Sequence, residues 1–232
     1  MKRVAVIGAR GFIGSALVEA FSAHPDFDVT AVTRENYADA QQNTYDVLVN
    51  CAMPSARFRA KQDPAWDFRE TVQKTADLFH GWNFQKFVQL SSVSARCQLD
   101  TAYGRHKAAA EAICNFGDHL IVRSGAVYDS EMKKGVLVDM MQGKTVFVDG
   151  ESRYCFASRD FLTNWIVNHL DRTGIVEVGG RNAIALKEVA AHLNAQIGFE
   201  GVLDHQEVSD SDPDYPEARE VLAFLDNWKP QP

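Results

Sequence analysis

The chain has 232 residues, 46% of them hydrophobic and 24% charged, with a formal net charge of −7, the composition of a globular protein long enough to bury a full core. That negative balance repels polyanions, so neither nucleic acid nor an anionic membrane surface is an expected partner. No apolar run reaches membrane length, the apolar residues before Gly8 are too few for a signal-peptide core, and the expected location is the cytosol.

Lys2–Ile7 is a short β-branched run that breaks into Gly8-Ala9-Arg10-Gly11-Phe12-Ile13-Gly14-Ser15 and then into an apolar-periodic stretch from Ala16 to Phe21. This reads as strand, glycine turn and helix. Such a turn offers backbone N–H groups and the positive end of a helix dipole to an anion, and its glycines let a pyrophosphate approach the main chain. A dinucleotide is expected here. The next strand, Asp28–Arg34, runs out at Thr33 and Arg34. An acidic side chain at this point takes the adenosine ribose, whereas a basic one pairs with a 2′-phosphate. Arg34 and Arg10 can clamp one phosphate between two guanidiniums, so NADP is expected, with NAD the alternative if Glu35 takes the ribose.

From Glu35 to Tyr45 the chain has room for a helical turn or two but not for a helix and another strand, so the sheet is expected to be trimmed there. Asp46–Ala52 is a buried strand that ends in small residues, Cys51 and Ala52, beside which a cofactor can pass. Pro64–Phe79 has helical apolar spacing with a proline near its start. Gln85–Leu90 is another strand, with Ser91 and Ser92 at its carboxyl end, where open α/β sheets bind ligands. The alternation of strand and helix predicts a parallel, doubly wound sheet. Cys51, Cys97, Cys114 and Cys155 are scattered, with no C-x-x-C pair and no clustered histidines. They are read as packing residues, with no metal expected.

Tyr103 and Lys107 stand four apart at the start of a helical stretch and so share one face. A phenol with a pKa of about 10 is a poor acid–base at neutral pH, and a nearby cation favours its phenolate. With Ser92 hydrogen-bonding the same substrate oxygen, the three groups suit reversible hydride transfer at a carbonyl. Tyr103 moves the proton, Lys107 tunes it and binds the nicotinamide ribose, and Ser92 polarises the C=O. His106 points about 100° away around the helix and is read as a solvent or partner contact. Arg123 is an ion-pair residue or an anion contact, Asp160 a helix N-cap, and the acidic Ser209–Asp214 stretch a solvated loop. The helix after Pro216 docks Val221, Leu222, Phe224, Leu225 and Trp228.

The series Gly8-x-x-Gly11-x-x-Gly14, Asn50-Cys51-Ala52, Ser91-Ser92, Tyr103-x-x-x-Lys107 and Ile121–Tyr128 resembles the short-chain dehydrogenase/reductase superfamily. Its order is most similar to the extended branch, the NAD-dependent epimerase/dehydratase family acting on nucleotide sugars. Weaker echoes at Gly143-Lys144, Arg153–Phe161, Val176–Gly180 and Leu225–Pro230 carry the resemblance over nearly the whole chain. It implies a Rossmann-like α/β domain over residues 1–128 and a small substrate-binding lobe over 129–232, partly interleaved with the core. Ser92, Tyr103 and Lys107 would be the catalytic triad. Gly8, Gly11, Phe12, Ile13 and Gly14 would line the pyrophosphate, and Thr33, Arg34 and Arg10 the adenosine end. Cys51, Ala52 and Ser91 would flank the cofactor, and Ser124, Gly125 and Val127 would meet the nicotinamide carboxamide.

The activity implied is an NADP-dependent oxidoreduction at a carbonyl of a sugar-like or nucleotide-sugar substrate, in a homodimer paired through the helices of Pro64–Phe79 and Tyr103–Phe116. The alternatives are a nucleotide-sugar epimerase/dehydratase holding NAD(P) tightly, and a catalytically silent NADP-binding sensor or assembly factor. The sequence departs from the family at the short stretch before Asp46, at Thr71 and Ala126 where asparagines are frequent, and in its small C-terminal lobe. These departures open the way to a smaller carbonyl substrate.

Overall fold

A computed structural model describes residues 1–209 and 212–229. The first half follows the expected alternation. Strand β1 (Lys2–Ile7) is buried from Val4 onward, and helix α1 (Phe12–Ser22) turns Gly14, Leu17 and Phe21 inward at i, i+3, i+7 spacing. Strand β2 (Phe27–Val32) is followed by the short helix α2 (Tyr37–Gln41) and then directly by β3 (Thr44–Asn50), so the polar stretch holds little more than one helical turn, as expected. Helix α3 (Arg57–Gln62) precedes α4 (Pro64–Phe68), whose first turn is capped by Asp63 accepting from the Trp66 N–H at 2.9 Å, with Pro64 at a position where its missing donor costs nothing. The helix expected over Pro64–Phe79 is broken by a π turn at Arg69–Gln73 before α5 (Lys74–Gly81). Such turns insert one residue into the helical ladder and are frequent at functional sites. Strand β4 (Asn83–Ser92), α6 (Ser94–Cys97), α7 (Ala102–Cys114) and β5 (Leu120–Ser124) follow.

The remaining elements are shorter: β6 (Val127–Tyr128), α8 (Val136–Met141), β7 (Arg153–Tyr154), β8 (Ala157–Ser158), α9 (Arg159–Asn168), β9 (Gly174–Val178), β10 (Ile184–Ala185), α10 (Leu186–His192) and α11 (Glu220–Asn227). The N-terminus of α9 is capped by Ser158, whose hydroxyl accepts from the Phe161 N–H at 3.1 Å, and not by Asp160, which lies one residue inside the helix. Asp210 and Ser211 of the acidic loop, and Pro230, lie outside the described residues. Cys114 and Cys155 are buried packing residues, whereas Cys97 is exposed. Among the described residues no helix is long and apolar enough to cross a membrane.

Six strands form the central sheet in the order β2-β1-β3-β4-β5-β9, with β1 parallel to both β2 and β3, and β3 parallel to β4. This is the expected Rossmann-like α/β architecture. Continuous apolar runs such as Val4–Ile7 and Val47–Val49 suit strands covered on both faces. From β1 the chain passes to β2 on one side and returns to β3 on the other. The carboxyl ends of β1 and β3 therefore flank the switch point of the sheet, where open α/β folds hold their ligands.

Contacts divide the chain into two compact units, Met1–Arg123 with Thr163–Val176, and Ser124–Leu162 with Glu177–Pro232. The first is built on Ile7, Leu48, Leu78, Phe87 and Ile121. The second gathers Tyr128, Leu137, Met140, Phe156, Leu186, Val221, Leu225 and Trp228, with the Trp228 indole donating to the Ser130 carbonyl at 3.0 Å.

Candidate active site

The turn after β1 is shaped by close backbone approach. Gly8 has φ +81°, a left-handed conformation that favours glycine, and a Cβ there would lie 3.0 Å from the backbone of Cys51 and Ala52. A Cβ on Gly14 would stand 2.2 Å from the Gly8 carbonyl oxygen, which already accepts from the Gly11 N–H at 2.8 Å. Gly11, in extended conformation, is the N-cap of α1, and no side chain caps that helix. The first turn, Phe12, Ile13 and Gly14, thus presents its N–H ends and the positive end of the dipole next to a surface stripped of Cβ atoms. That cradle fits a dinucleotide pyrophosphate. The turn also meets the end of β3, where Ala52 N–H donates to Asn50 Oδ1 at 3.1 Å, and Asn50 Nδ2 to Gln89 Oε1 on the paired strand at 3.0 Å. Burial pushes the Cys51 thiol up to about 12, so it stays protonated and serves as surface, not as a nucleophile.

The adenosine end is organised differently from the expected two-arginine clamp. Asn36 Oδ1 accepts from the Thr33 N–H and hydroxyl at 2.7 and 3.2 Å, which bends the chain just past β2. Arg10 Nη1 pairs with Glu35 Oε1 at 2.7 Å, with 74% and 64% of the two side chains exposed, and Arg34 is exposed. Hydrogen bonds from Thr33, from its own backbone N–H and from Arg10 hold the Glu35 carboxyl at about 2, so it is an anion throughout the working range. An exposed pair of this kind is weak and screened by salt, and Arg10 can exchange Glu35 for a phosphate.

Ser92, Tyr103 and Lys107 come together. Thr101 caps α7 by accepting from the Gly104 N–H at 3.0 Å, which sets Tyr103 in the first turn and Lys107 one turn on. Gly104 lies so close to α6 that a Cβ would stand 2.1 Å from the Gln98 carbonyl oxygen. Ser92, at the end of β4, hydrogen-bonds the Tyr103 phenol, and its oxygen lies 3.2 Å from the backbone nitrogen of Ser94. Lys107 Nζ stands 5.3 Å from the centre of the Tyr103 ring. Both residues are buried, at 6% and 3% exposure.

Burial has opposite consequences for the two groups. It pushes the Tyr103 phenol up, opposed by Arg57 and the Ser92 hydrogen bond and assisted by Asp67. It brings the Lys107 ammonium down to about 8, against the pull of Asp67 and Glu111. The expected lowering of the phenol by Lys107 is thus replaced by a net rise, and the cation that opposes it is Arg57, whose guanidinium lies 5.9 Å from the ring centre.

Ser91 does not share the position of Ser92. Successive strand residues face opposite ways, and its buried hydroxyl donates to Glu111 Oε1 at 2.6 Å, leaving only its backbone to flank a cofactor. Glu111 is held in turn by Arg123, with contacts of 2.6–3.1 Å, so Arg123 is an ion-pair residue. Ser124, Gly125 and Val127 belong to the second unit. There the Gly125 N–H donates to the Val178 carbonyl at 2.8 Å, a Cβ on Gly125 would meet the Cys155 carbonyl oxygen at 2.7 Å, and Val127 pairs with Ala157. His106 is not a solvent contact. It is 17% exposed, with Nδ1 2.7 Å from Asp67 Oδ2 on α4. Sequence reasoning missed Arg57 and Asp67, which carry no motif.

Residues 4–116 match the model of the NAD dependent epimerase/dehydratase family, a span that contains the glycine turn, Ser92, Tyr103 and Lys107. Over that span the chain resembles that family. The match agrees with the resemblance read from the glycine turn and the Tyr103–Lys107 pair. No curated protein matches the sequence. Among solved structures, the chain is similar to RMD from Pseudomonas aeruginosa complexed with NADPH, at TM-score 0.71 and 17% identity over 100% of this chain and 94% of that one. UDP-glucuronic acid 4-epimerase from Bacillus cereus, in complex with UDP-glucuronic acid and NAD, gives 0.68 and 18% over 99% and 94%. dTDP-4-dehydrorhamnose reductase from Bacillus anthracis, in complex with NADP, gives 0.71 and 15% over 98% and 100%. At these identities the likeness is one of fold.

Proposed function

We propose that this chain, which resembles the epimerase/dehydratase family over residues 4–116, is an NADP-dependent reductase acting on a carbonyl of a sugar-like substrate. The observation that carries the reading is the buried Ser92–Tyr103–Lys107 group, with a phenol pushed above its ordinary pKa by burial. Such a phenol is protonated at neutral pH and serves as a proton donor, which reduction of a carbonyl requires. Bound NADPH would supply the hydride. The Ser92 hydroxyl and the Tyr103 phenol donate to the carbonyl oxygen, whose growing negative charge strengthens both bonds. Lys107, near 8, is chiefly an ammonium ion at neutral pH, and its charge stabilises the phenolate left after proton transfer while its donors serve the nicotinamide ribose.

The glycine turn would hold the pyrophosphate through Gly8, Gly11, Phe12, Ile13 and Gly14, between Cys51 and Ala52. Arg10 and Arg34 support the choice of NADP, and Glu35 opposes it. In this reading residues 1–128 bind the dinucleotide, residues 129–232 bind substrate, and Ser124, Gly125 and Val127 meet the carboxamide. The lack of a C-x-x-C pair suits a reducing compartment such as the cytosol, and exposed Phe58 and Phe68 on α3 and α4 support pairing of two copies.

The test follows nicotinamide absorbance during turnover against a panel of keto-sugars and small ketones. Net oxidation of NADPH is expected, with Tyr103→Phe lowering kcat by about 10²–10⁴-fold and leaving NADPH affinity intact. Wild-type rates in Tyr103→Phe, or failure to bind NADPH, would overturn the reading. The family also supports an epimerase or dehydratase, in which hydride returns to the same substrate. That reading gains if cofactor survives dialysis and turnover proceeds without net absorbance change.

A further inference from the structure

Ser94 and Arg57 have no assigned part in this chemistry, yet both reach the triad. Ser94 opens α6 and is completely buried. A buried hydroxyl is costly unless it is hydrogen-bonded, and Ser94 Oγ accepts from Arg57 Nη2 at 3.3 Å and from the Ser92 hydroxyl at 3.2 Å. The Ser94 N–H in turn donates to Ser92 Oγ at 3.2 Å. Arg57, the first residue of α3, sets its guanidinium 5.9 Å from the centre of the Tyr103 ring. One arginine thus reaches both proton donors of the site, the phenol directly and Ser92 by way of Ser94. We propose that Arg57 and Ser94 are positioning residues that aim the Ser92 hydroxyl at the substrate carbonyl, through a hydrogen-bonded chain running from the guanidinium to Ser94 and on to Ser92.

The direction of the chain follows from what each group can give. A hydroxyl has one proton to donate and two lone pairs to fill, whereas a guanidinium only donates. A carbonyl oxygen entering the site draws the Ser92 proton to itself. The Ser94 hydroxyl, with one lone pair already held by Arg57, then returns a bond to Ser92 Oγ, which also receives the Ser94 N–H. Both lone pairs of Ser92 are filled from Ser94, so its own proton has no direction left but outward. Each bond in such a chain polarises the next, and the positive charge at Arg57 makes Ser92 a stronger donor. As hydride arrives, negative charge grows on the carbonyl oxygen and then on the phenolate, and a guanidinium fixed beside both donors answers it without touching the carbonyl. Arg59, two residues further along α3, takes no part, since it stacks 3.7 Å from the centre of the Trp66 ring.

The inference rests on the reductase reading, and a mutant cycle on kcat tests it, with the keto-sugar of the panel that the wild type reduces fastest as probe. Ser94→Ala, which removes the hydroxyl and keeps the backbone N–H, and Arg57→Met, which removes the donor, should each lower kcat by about 10- to 100-fold, with the KM for NADPH unchanged. Residues that act as one chain lose their effects together. The double variant should therefore be no slower than the worse single one, and in a Ser92→Ala background neither change should cost more than about twofold. A merely structural role would give losses that multiply and that persist without Ser92, and either result overturns the proposal. If Arg57→Met does not fold, the pair of Ser94→Ala and Ser92→Ala decides alone. A wild type that oxidises no NADPH with any member of the panel overturns the reductase reading and this inference with it, whereas independent losses in an active protein overturn the inference only.

Discussion

Replacing Lys107 by methionine should make the protein more stable and leave it without activity. Lys107 is 3% exposed, and burial brings its amine from 10.5 to about 8. At about 1.36 kcal/mol per unit, that difference of about 2.5 units means that the folded state bears on the order of 3 kcal/mol to keep the charge. The folded value lies below the unfolded one, so below about pH 8 both states are protonated and the folded state carries the whole cost. Between about 8 and 10.5 the folded state releases its proton first and stability rises, and above that range the cost has vanished. Methionine keeps the apolar stem and removes the charge. At neutral pH the variant should gain about 3 kcal/mol, or roughly 6–12 °C in Tm for a chain of this size. The gain should shrink as the pH rises toward 10.5. Thermal melts followed by circular dichroism across that range, with NADPH-dependent turnover measured in parallel, check both parts. A variant less stable than the parent at neutral pH, or a gain that does not fade with pH, would refute the reasoning. Active sites that hold a charge out of water surrender stability for function, and this lysine is such a case.

Gly14→Ala places a Cβ 2.2 Å from the Gly8 carbonyl oxygen, so the turn must open; calorimetry should show NADPH binding weakened by about 100-fold and the fold losing about 1–3 kcal/mol, and unchanged affinity would mean that the turn does not hold the pyrophosphate. Glu35→Ala removes a carboxylate held by Arg10 and should improve the NADP-to-NAD affinity ratio by up to about tenfold, or 1.4 kcal/mol. Arg34→Asp should reverse that preference, and an alanine variant that turns toward NAD would sink the assignment. Ser91→Ala and Ser92→Ala should separate two neighbours of the same type. The first leaves the buried Glu111 short of a donor and costs about 1–3 kcal/mol of stability with little change in kcat, while the second lowers kcat by about 10²–10³-fold with little change in Tm; the opposite pattern would mean that the two roles are exchanged.

Much of this protein was written locally. The strand, glycine turn and helix at Lys2–Ser22 follow from residue type and spacing, because backbone approach and helix periodicity are properties of a few adjacent residues. The pairing of Tyr103 with Lys107 was legible for the same reason, since residues four apart on a helix share a face wherever the helix lies. The trimmed sheet could be read from chain length alone, there being too few residues between β2 and β3 for another strand.

The tertiary structure decided what surrounds those elements. The helical angle said that His106 turns away from Lys107, but not that α4 lies on that side with a buried carboxylate 39 residues earlier in the chain. Two consecutive serines look alike in the sequence, and only the pleat of β4 against α7 sends one to Glu111 and the other to the phenol. The expected effect of Lys107 on Tyr103 was a two-body argument, whereas the phenol answers to burial, Arg57, Asp67 and Ser92 together. Periodicity and capping act over a single turn of chain, so the sequence alone determines them. Desolvation and charge are summed over neighbours remote in sequence, so only the packed molecule determines those.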